Sequence, residues 1–288
     1  MGTIREYQRK ITSLKNTRKI TGSMKMISSI KLQRMTQLRN DAQPFINAIR
    51  HLQPVIETAG SLHHHSFIRG WNTVVHLHVL LVTGDRGLCG RYNKNTISAM
   101  LQHSDKAGER PVTFSSIGHK GHHFLRRRSL EVIRFYEDAA AHPSWEAARD
   151  IGADLVEYFA SGSAHEVWIV HSRRSSTFTE EPVVRRLLPL SLETPSETFT
   201  GSTDYLLEDS PEHLMRQTVL LYIQGTVYEA LLDSAVAEHS ARMSAMDNAS
   251  SNCDRLLGQY TQLRNRARQA VITTELNEIV TGKEALEA

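Results

Sequence analysis

The chain has 288 residues, a formal net charge of +3 and a hydrophobic content of 40%, which is typical of a folded protein with one or two cores. So small a net charge does not by itself indicate a nucleic acid or a membrane surface as partner. No apolar run is long enough to span a membrane, and the chain opens with the polar stretch "MGTIREYQRK", so we expect a cytosolic or cytosol-facing protein. Cys89 and Cys253 are its only cysteines, and we expect neither a disulfide nor a cysteine metal site.

Residues 1–58 are predicted to form one long helix, because apolar residues recur there in steps of three and four. The same spacing recurs in residues 212–288, which contain no proline, and predicts a second one. Helices of this length are several times longer than is usual in globular proteins. Two of them bury their apolar seams most economically against each other, as an antiparallel coiled coil.

The lengths of the two helices also predict how they pair. If both leave the middle of the chain side by side, the numbers of facing residues add up to roughly 268, and about the last twenty residues extend past the start of the first helix. That tip carries a series of apolar residues: Val271, Ile272, Leu276, Ile279 and Val280. Partner subunits are expected to cover it, because these side chains would otherwise face water.

Residues 73–190 have a different rhythm, in which strand-like runs alternate with helical ones. This alternation predicts an α/β domain. Linkers rich in turn residues are predicted on either side of it, at 59–72 and 191–211. The last apolar run, within residues 180–190, is bracketed by two prolines and predicts a strand at the edge of the sheet.

The stretch "LLVTGDRGLCGRYN", residues 80–93, resembles a phosphate-binding turn that leads from a strand into a helix, with Asn93 as a cap. Its glycines are spaced G-x-x-G-x-x-G, which is neither the dinucleotide-binding nor the P-loop pattern, and no P-loop occurs elsewhere in the chain. We therefore interpret them as glycines that let the backbone turn sharply, in a loop that Asp85 or Arg86 fixes and that touches a partner. No cofactor is expected.

Fifteen histidines raise the question of a metal site. No helical H-E-x-x-H and no zinc-finger spacing accompanies them, so we expect no metal ion. His76 and His78 alternate along the first predicted strand and are expected on its more exposed face.

The first helix is predicted to be strongly positive, since nine Lys and Arg residues and no acidic ones lie between Glu6 and Asp41. A solvated helix face ordinarily mixes both signs, so a face of one sign indicates an acidic partner, either a nucleic acid or a protein. A nucleic-acid-binding or other scaffolding coiled-coil protein is therefore one hypothesis, although Tyr7 is the only aromatic residue in this stretch that bases could stack on.

Three regions closely resemble the signature regions of the γ subunit of F-type ATP synthase. They are "ITSLKNTRKITGSMKMISSIKLQRM" (11–35), "GDRGLCGRYN" (84–93) and "ARMSAMDNASSNCDRLLGQYTQLRNRARQAVITTELNEIVTGKEAL" (241–286); residues 100–200 match only loosely. The resemblance implies an antiparallel coiled coil of the N- and C-terminal helices, with a Rossmann-like α/β domain at its base. It also implies the function of a central-stalk rotor, which couples proton or sodium flow through the membrane c-ring to ATP synthesis or hydrolysis at the β subunits.

The same resemblance implies a non-catalytic subunit that binds no nucleic acid and is peripheral to the membrane, at the cytoplasmic face of the cell (inner) membrane. Its partners would be the α and β subunits of the α3β3 ring, the ε subunit and the c-ring. Contacts with β are implied for eight residues: Met24, Lys25, Asp85, Arg86, Arg91, Arg242, Gln269 and Thr273. The sequence departs from the family at Gly22, Gly84 and Arg91, where a lysine, a small hydroxyl residue and a glycine are usual, which leaves the contacts at these positions open.

Overall fold

The computed structural model describes residues 3–50, 66–71, 73–175, 180–190 and 211–287. They divide into two compact units, one made of Met1–Ser28 with Met243–Ala288 and the other of Ser29–Arg242. Most of both predicted linkers, 59–72 and 191–211, lies outside the described residues.

Both predicted long helices are present. Helix α1 spans Ile4–Arg50 and has 47 residues, and helix α6 spans Pro211–Glu287 and has 77 residues, or about 70 and 115 Å at 1.5 Å per residue. A capping box fixes the start of α1, where the backbone N–H of Thr3 donates to Glu6 Oε2 at 2.8 Å and the N–H of Glu6 donates to Thr3 Oγ1 at 3.3 Å. The last residues of the first predicted helix, 51–58, lie outside the described part of the chain.

In the first unit the two helices pair as a coiled coil. The seam buries Ile11 and Thr21 from α1 and Met246 and Cys253 from α6. Thr21 Oγ1 lies 2.8 Å from Ser250 Oγ, so these two hydroxyl groups are hydrogen-bonded across the seam. The seam thus follows the apolar spacing that predicted it.

Three further polar contacts cross the same pair of helices, and they define the register: Arg18 with Asp254, Lys25 with Asp247, and Arg264 with Gln8. The residue numbers add up to 272 in each. The helices are therefore antiparallel, as predicted, but the predicted sum of roughly 268 is off by about one helical turn. A shift of one turn keeps the same apolar seam in contact, so the spacing of apolar residues alone does not distinguish the two registers.

Helix α6 continues past the start of α1, also as predicted. Every described side chain from residue 268 to 283 is exposed. The apolar residues of this tip have between 44% and 69% of their surface exposed: Val271, Ile272, Leu276, Ile279 and Val280.

The second unit contains a five-stranded sheet with the strand order β3-β2-β1-β4-β5. The strands are β1 (Leu77–Val82), β2 (Val112–Ile117), β3 (Val132–Tyr136), β4 (Glu166–Arg174) and β5 (Glu180–Leu188). The first four are parallel, and β5 pairs antiparallel with β4 at the edge. The other helices are α2 (Ser66–Arg69), α3 (Tyr92–Asp105), α4 (His119–Arg127) and α5 (Trp145–Ala160). The predicted α/β alternation and the edge strand are confirmed.

Helix α6 also forms part of the core of the second unit. Its residues Val219, Ile223 and Val227 are fully buried and belong to one apolar cluster with Leu80 of β1 and Ile151 of α5. This part of α6 covers a face of the sheet. The same helix is therefore one of the two helices of the coiled coil in the first unit and a core element of the second.

Candidate functional site

The loop of residues 83–91 lies at the carboxyl end of β1, between β1 and α3. Strand β1 pairs in parallel with β2 on one side and with β4 on the other. The winding of the sheet reverses here, because the chain passes from β1 to β2 and β3 and then returns through α5 to β4. Ligands of doubly wound sheets bind in the crevice at such a switch point, so the loop lies where a nucleotide would be expected.

Helix α6 fills this crevice. A Cβ added at Gly84 would lie 2.7 Å from the carboxyl carbon of Glu238 and 2.8 Å from its Oε2. The side chains of Cys89 and Tyr92 are buried against two alanines of α6. A phosphate at Gly84 would meet a carboxylate instead of free backbone N–H groups, which phosphate sites require. The loop is therefore packed against a helix of its own chain at the point where a nucleotide would enter.

Glu238 and Arg242 form a buried clamp over the loop. Each has 9% of its surface exposed, and Arg242 Nη2 lies 2.5 Å from Glu238 Oε1. Arg242 also donates from Nε and Nη2 to the carbonyl oxygen of Gly87, both at 3.4 Å. Burial raises the pKa of the Glu238 carboxyl, and the neighbouring Arg242 guanidinium opposes that rise. The ion pair lies within α6, and the hydrogen bonds of Arg242 to Gly87 join this helix to the backbone of the loop.

Asn93 and Asp85 hold the loop from its other side. Helix α3 begins at Tyr92, so Asn93 lies inside its first turn and is not the predicted cap. Its Oδ1 accepts from the N–H of Gly84 at 2.9 Å, and its Nδ2 donates to the carbonyl oxygen of Arg86 at 3.3 Å. Asp85 Oδ1 accepts from the N–H of His119 at 3.1 Å, which satisfies a free donor at the start of α4. These bonds fix the loop without using any side chain on its outer surface.

Besides Gly90, the exposed residues of the loop are Arg86, Leu88 and Arg91, whose side chains form its outer surface. Leu88 was not among the residues predicted to contact a partner. It has 62% of its surface exposed and a φ of 62°, in the left-handed region that leucine rarely adopts. The flanking glycines in "GLCG" were the available signal, because they show that the backbone turns there, but they do not show which side chain faces outward.

The eight residues that the resemblance implies as contacts fall into two groups. Four lie in the first unit, at exposed or half-buried positions: Met24 and Lys25 on α1, and Gln269 and Thr273 on the tip of α6. The other four lie together at the loop of the second unit: Asp85, Arg86, Arg91 and Arg242. Of these four, Arg86 and Arg91 extend into solvent, whereas Asp85 and Arg242 bind atoms of their own chain. Two other residues complete the site: Glu238 was not predicted, and Asn93 was predicted only as a helix cap.

The histidines form no metal site in the described part of the chain, where no three His, Cys, Asp or Glu residues are grouped so that they could hold an ion. His78 has only 1% of its surface exposed, so its expected place on an exposed face was wrong. Its ring nitrogens bind Thr113 Oγ1 at 2.9 Å and Ser115 Oγ at 3.0 Å, and burial lowers its pKa to about 4. The strand tolerates a buried imidazole because both ring nitrogens have partners.

The described helices include none that is long and apolar enough to cross a membrane.

Three of the nine basic residues of the acid-free stretch of α1 form ion pairs with acidic residues of α6: Arg18 with Asp254, Lys25 with Asp247, and Arg39 with Asp233. Part of the positive charge of α1 is therefore balanced within the chain, which weakens the case for a nucleic acid as its partner.

Comparisons with known proteins give the family. The family model described as ATP synthase matches residues 3–286. The ATP synthase gamma chain of Syntrophobacter fumaroxidans is 36% identical over 294 residues, which cover 99% of each chain. The chain belongs to the ATP synthase gamma chain family. The gamma chain of Moorella thermoacetica is 35% identical, over 99% of this chain and 100% of its own.

Solved structures agree with this family in fold. A chain of the Euglena gracilis mitochondrial ATP synthase, in a structure of OSCP, F1 and c-ring, has a TM-score of 0.65 at 17% identity and covers 98% of this chain and 94% of its own. A chain of the Tetrahymena thermophila central stalk and c-ring has a TM-score of 0.63 at 20% identity, with coverages of 80% and 99%. The long terminal helices and the central mixed sheet are thus the architecture of the central-stalk subunit of rotary ATP synthases.

Proposed function

We propose that this member of the gamma chain family is the rotor shaft of a rotary ATP synthase and has no catalytic site of its own. In this proposal the shaft turns inside a ring of three α and three β subunits and stands, with the ε subunit, on the membrane c-ring. It couples proton or sodium flow to ATP synthesis or hydrolysis at the β subunits, peripheral to the membrane at its cytoplasmic face. The filled crevice at Gly84 supports the non-catalytic part, because Glu238 occupies the place of a phosphate.

The observation that carries the proposal is the apolar tip of α6. Five large apolar residues between Val271 and Val280 are 44–69% exposed, on a stretch with no helix of this chain described beside it. An exposed apolar series of this length needs a covering surface in the assembled state. A ring of subunits around the tip provides such a cover while leaving the shaft free to turn, because apolar contacts are not directional.

Two groups of contacts with β are proposed. In the first unit, Met24 and Lys25 on α1 and Gln269 and Thr273 on the tip of α6 present exposed or half-buried side chains. At the loop, Arg86 and Arg91 extend into solvent as free positive charges that suit acidic groups on β. Asp85 and Arg242 act differently from these, since both are bonded to backbone atoms of the second unit. Their role in the proposal is to hold the loop in shape.

The test of the function starts from the assembled enzyme. Membrane vesicles from cells that lack their own γ subunit are supplied with this chain, carrying an affinity tag, and with its α and β subunits. We expect α and β to co-purify with the tag and the vesicles to pump ions when given ATP, whereas the isolated chain hydrolyses no ATP. Hydrolysis by the pure chain at the rate of the complex, or vesicles that never pump, would contradict the proposal.

The loop contacts are tested by charge reversal at Arg86 and Arg91. Both side chains are exposed, so each contact with β is expected to contribute only about 0.2 to 1 kcal/mol. Pumping should therefore decrease while the complex stays assembled. The difference in pumping between wild type and variant should diminish at high salt, because salt screens exposed charges. Reversal at Lys106, exposed at the other end of α3, is the matched control. Unchanged pumping in the double reversal would leave the loop with a purely structural role.

A further inference from the structure

The loop at the carboxyl end of β1 is rigid, yet it exposes a large apolar side chain. Its backbone is bound by Asn93 at Gly84 and Arg86 and by Arg242 at Gly87, and the next side chain, Cys89, is buried with 2% exposed. Between these fixed points Leu88 has 62% of its surface exposed. The exposure is therefore built into the loop and does not result from fraying.

The backbone at Leu88 is also unfavourable for leucine. Its φ is 62°, and the left-handed region brings the Cβ of an L-residue too close to the following carbonyl oxygen. Glycine and asparagine adopt this conformation with less strain, and glycine does adopt it two residues later, where Gly90 has a φ of 59°. Folding alone thus favours glycine or asparagine at position 88, because the leucine side chain buries little surface in its own chain.

A strained residue on a functional loop commonly serves the function of that loop. Leucine gains free energy only where its surface leaves water, so a partner must cover it. Arg86 and Arg91 are both exposed on the same loop, and their positive charges indicate that the partner carries acidic groups. A surface that suits all three side chains has an apolar pocket with carboxylates at its rim.

We propose that Leu88 is the apolar anchor through which this loop binds the β subunit, with Arg86 and Arg91 orienting it against acidic groups around the pocket. This rests on the proposed function, which assigns the loop to β. The anchor supplies most of the contact, because burial of a leucine outweighs exposed ion pairs. Consequently the contact persists at high salt, which screens only the two arginines.

Two substitutions separate an anchor from a structural role. Leu88→Asn relieves the backbone strain and removes the apolar group, whereas Leu88→Met keeps an apolar group of similar size. The full-length Asn variant should unfold at an equal or higher temperature than wild type. In the assembled enzyme it should lower ATP-driven ion pumping by about 10-fold, the loss expected when a buried leucine contact disappears, and Leu88→Met should pump nearly as wild type.

A lower unfolding temperature for Leu88→Asn would overturn the anchor, since the leucine would then stabilise its own chain. Pumping by the Asn variant equal to wild type would overturn it as well. Failure of the wild-type chain to support any pumping would instead contradict the proposed function, so the two failures are distinguishable.

A photo-crosslinking residue identifies the partner directly. The benzophenone amino acid p-benzoylphenylalanine, placed at position 88 in the assembled enzyme, should crosslink to β on illumination, because its ring would enter the pocket. The same residue at position 106, on an exposed side chain at the far end of α3, should give no crosslink to β. Crosslinks from position 88 to ε or to the c subunit, or none at all, would overturn the proposal.

Discussion

Helix α6 has two regions with opposite environments. Most side chains between residues 219 and 242 are buried, and two buried acidic residues of that region are paired, Asp233 with Arg39 and Glu238 with Arg242. From residue 268 to 283 every described side chain is exposed, apolar ones included. Both regions contain leucines, valines and isoleucines, so their composition does not explain the difference.

The difference separates what stabilises the chain from what serves its partners. The buried region gains its stability from residues of this chain, which cover it in the second unit. The apolar side chains of the tip gain nothing until another surface removes them from water. Substitutions between residues 219 and 242 should therefore change the stability of the isolated chain. Substitutions in the tip should have an effect only in the assembled enzyme.

The largest expected effect compares two leucines of this one helix. Leu231 is 2% exposed and Leu276 is 56% exposed. Leu231→Ala should lower the free energy of unfolding by about 4 kcal/mol, because it leaves a cavity in a packed core. Leu276→Ala should change it by no more than about 0.5 kcal/mol. Urea denaturation of the isolated variants measures both values.

The reverse pattern is expected in the assembled enzyme. Leu276→Ala should reduce the stability of the complex or its ATP-driven pumping, although the isolated chain is unaffected. Equal losses of unfolding free energy for the two isolated variants would contradict the comparison, because the tip would then be covered by its own chain.

The next effect concerns the clamp. Arg242→Met should lower the free energy of unfolding by about 3 kcal/mol, since it leaves the buried Glu238 carboxylate unpaired. The effect lies at the lower end of the range for buried pairs, because Glu238 can take up a proton: burial already raises its pKa. Combining Arg242→Met with Glu238→Gln should recover part of the loss, as the buried charge is then removed. If the double variant is less stable than Arg242→Met, the clamp does not act as an ion pair.

A smaller effect is the dependence of stability on pH. Burial lowers the pKa of His78 from 6.5 to about 4 and that of His171 likewise. Between about pH 6.5 and pH 4 the unfolded chain binds protons that the folded chain does not, so stability decreases as the pH falls. At pH 5.5 His78 alone should account for about 1 kcal/mol.

The first unit contains no histidine, which makes this prediction specific to the second. Urea denaturation of the full chain between pH 7 and pH 4.5 should show the decrease, and His78→Asn should make the curve shallower. Hydrogen exchange should locate the acid-induced loss of protection in the sheet and not in the coiled coil. An unchanged slope for His78→Asn would show that this histidine is protonated in the folded chain.

Much of the fold follows from periodicity in the sequence. Steps of three and four predicted both long helices, and alternation of strand and helix predicted the sheet, because these patterns record which faces are buried. The register was wrong by one turn, since a coiled-coil seam fits equally well after such a shift. The burial of His78 was also missed, because it depends on Thr113 and Ser115 of the neighbouring strand, and a single strand does not indicate its polar partners.

The site was predictable only in part for a related reason. The resemblance pointed to the loop and to Arg242, but not to the clamp, in which Glu238 lies four residues before Arg242. That spacing is common on exposed helix faces and does not reveal burial. The outward position of Leu88 depends on the sign of one φ angle, which no local sequence pattern encodes uniquely.

The smallest expected effect tests whether the coiled coil depends on its ion pairs. Lys25 Nζ lies 2.6 Å from Asp247 Oδ1, with 46% and 56% of the two side chains exposed. A double-mutant cycle of Lys25→Ala and Asp247→Ala should give a coupling of only about 0.2 to 1 kcal/mol, which disappears at high salt because solvent and ions screen exposed charges. Thermal unfolding of the four isolated chains measures it. A coupling that persists at 1 M salt would mean that the pair holds the register itself. A weak coupling leaves Lys25 free to exchange Asp247 for an acidic group on β without destabilising the shaft, which its proposed contact with β requires.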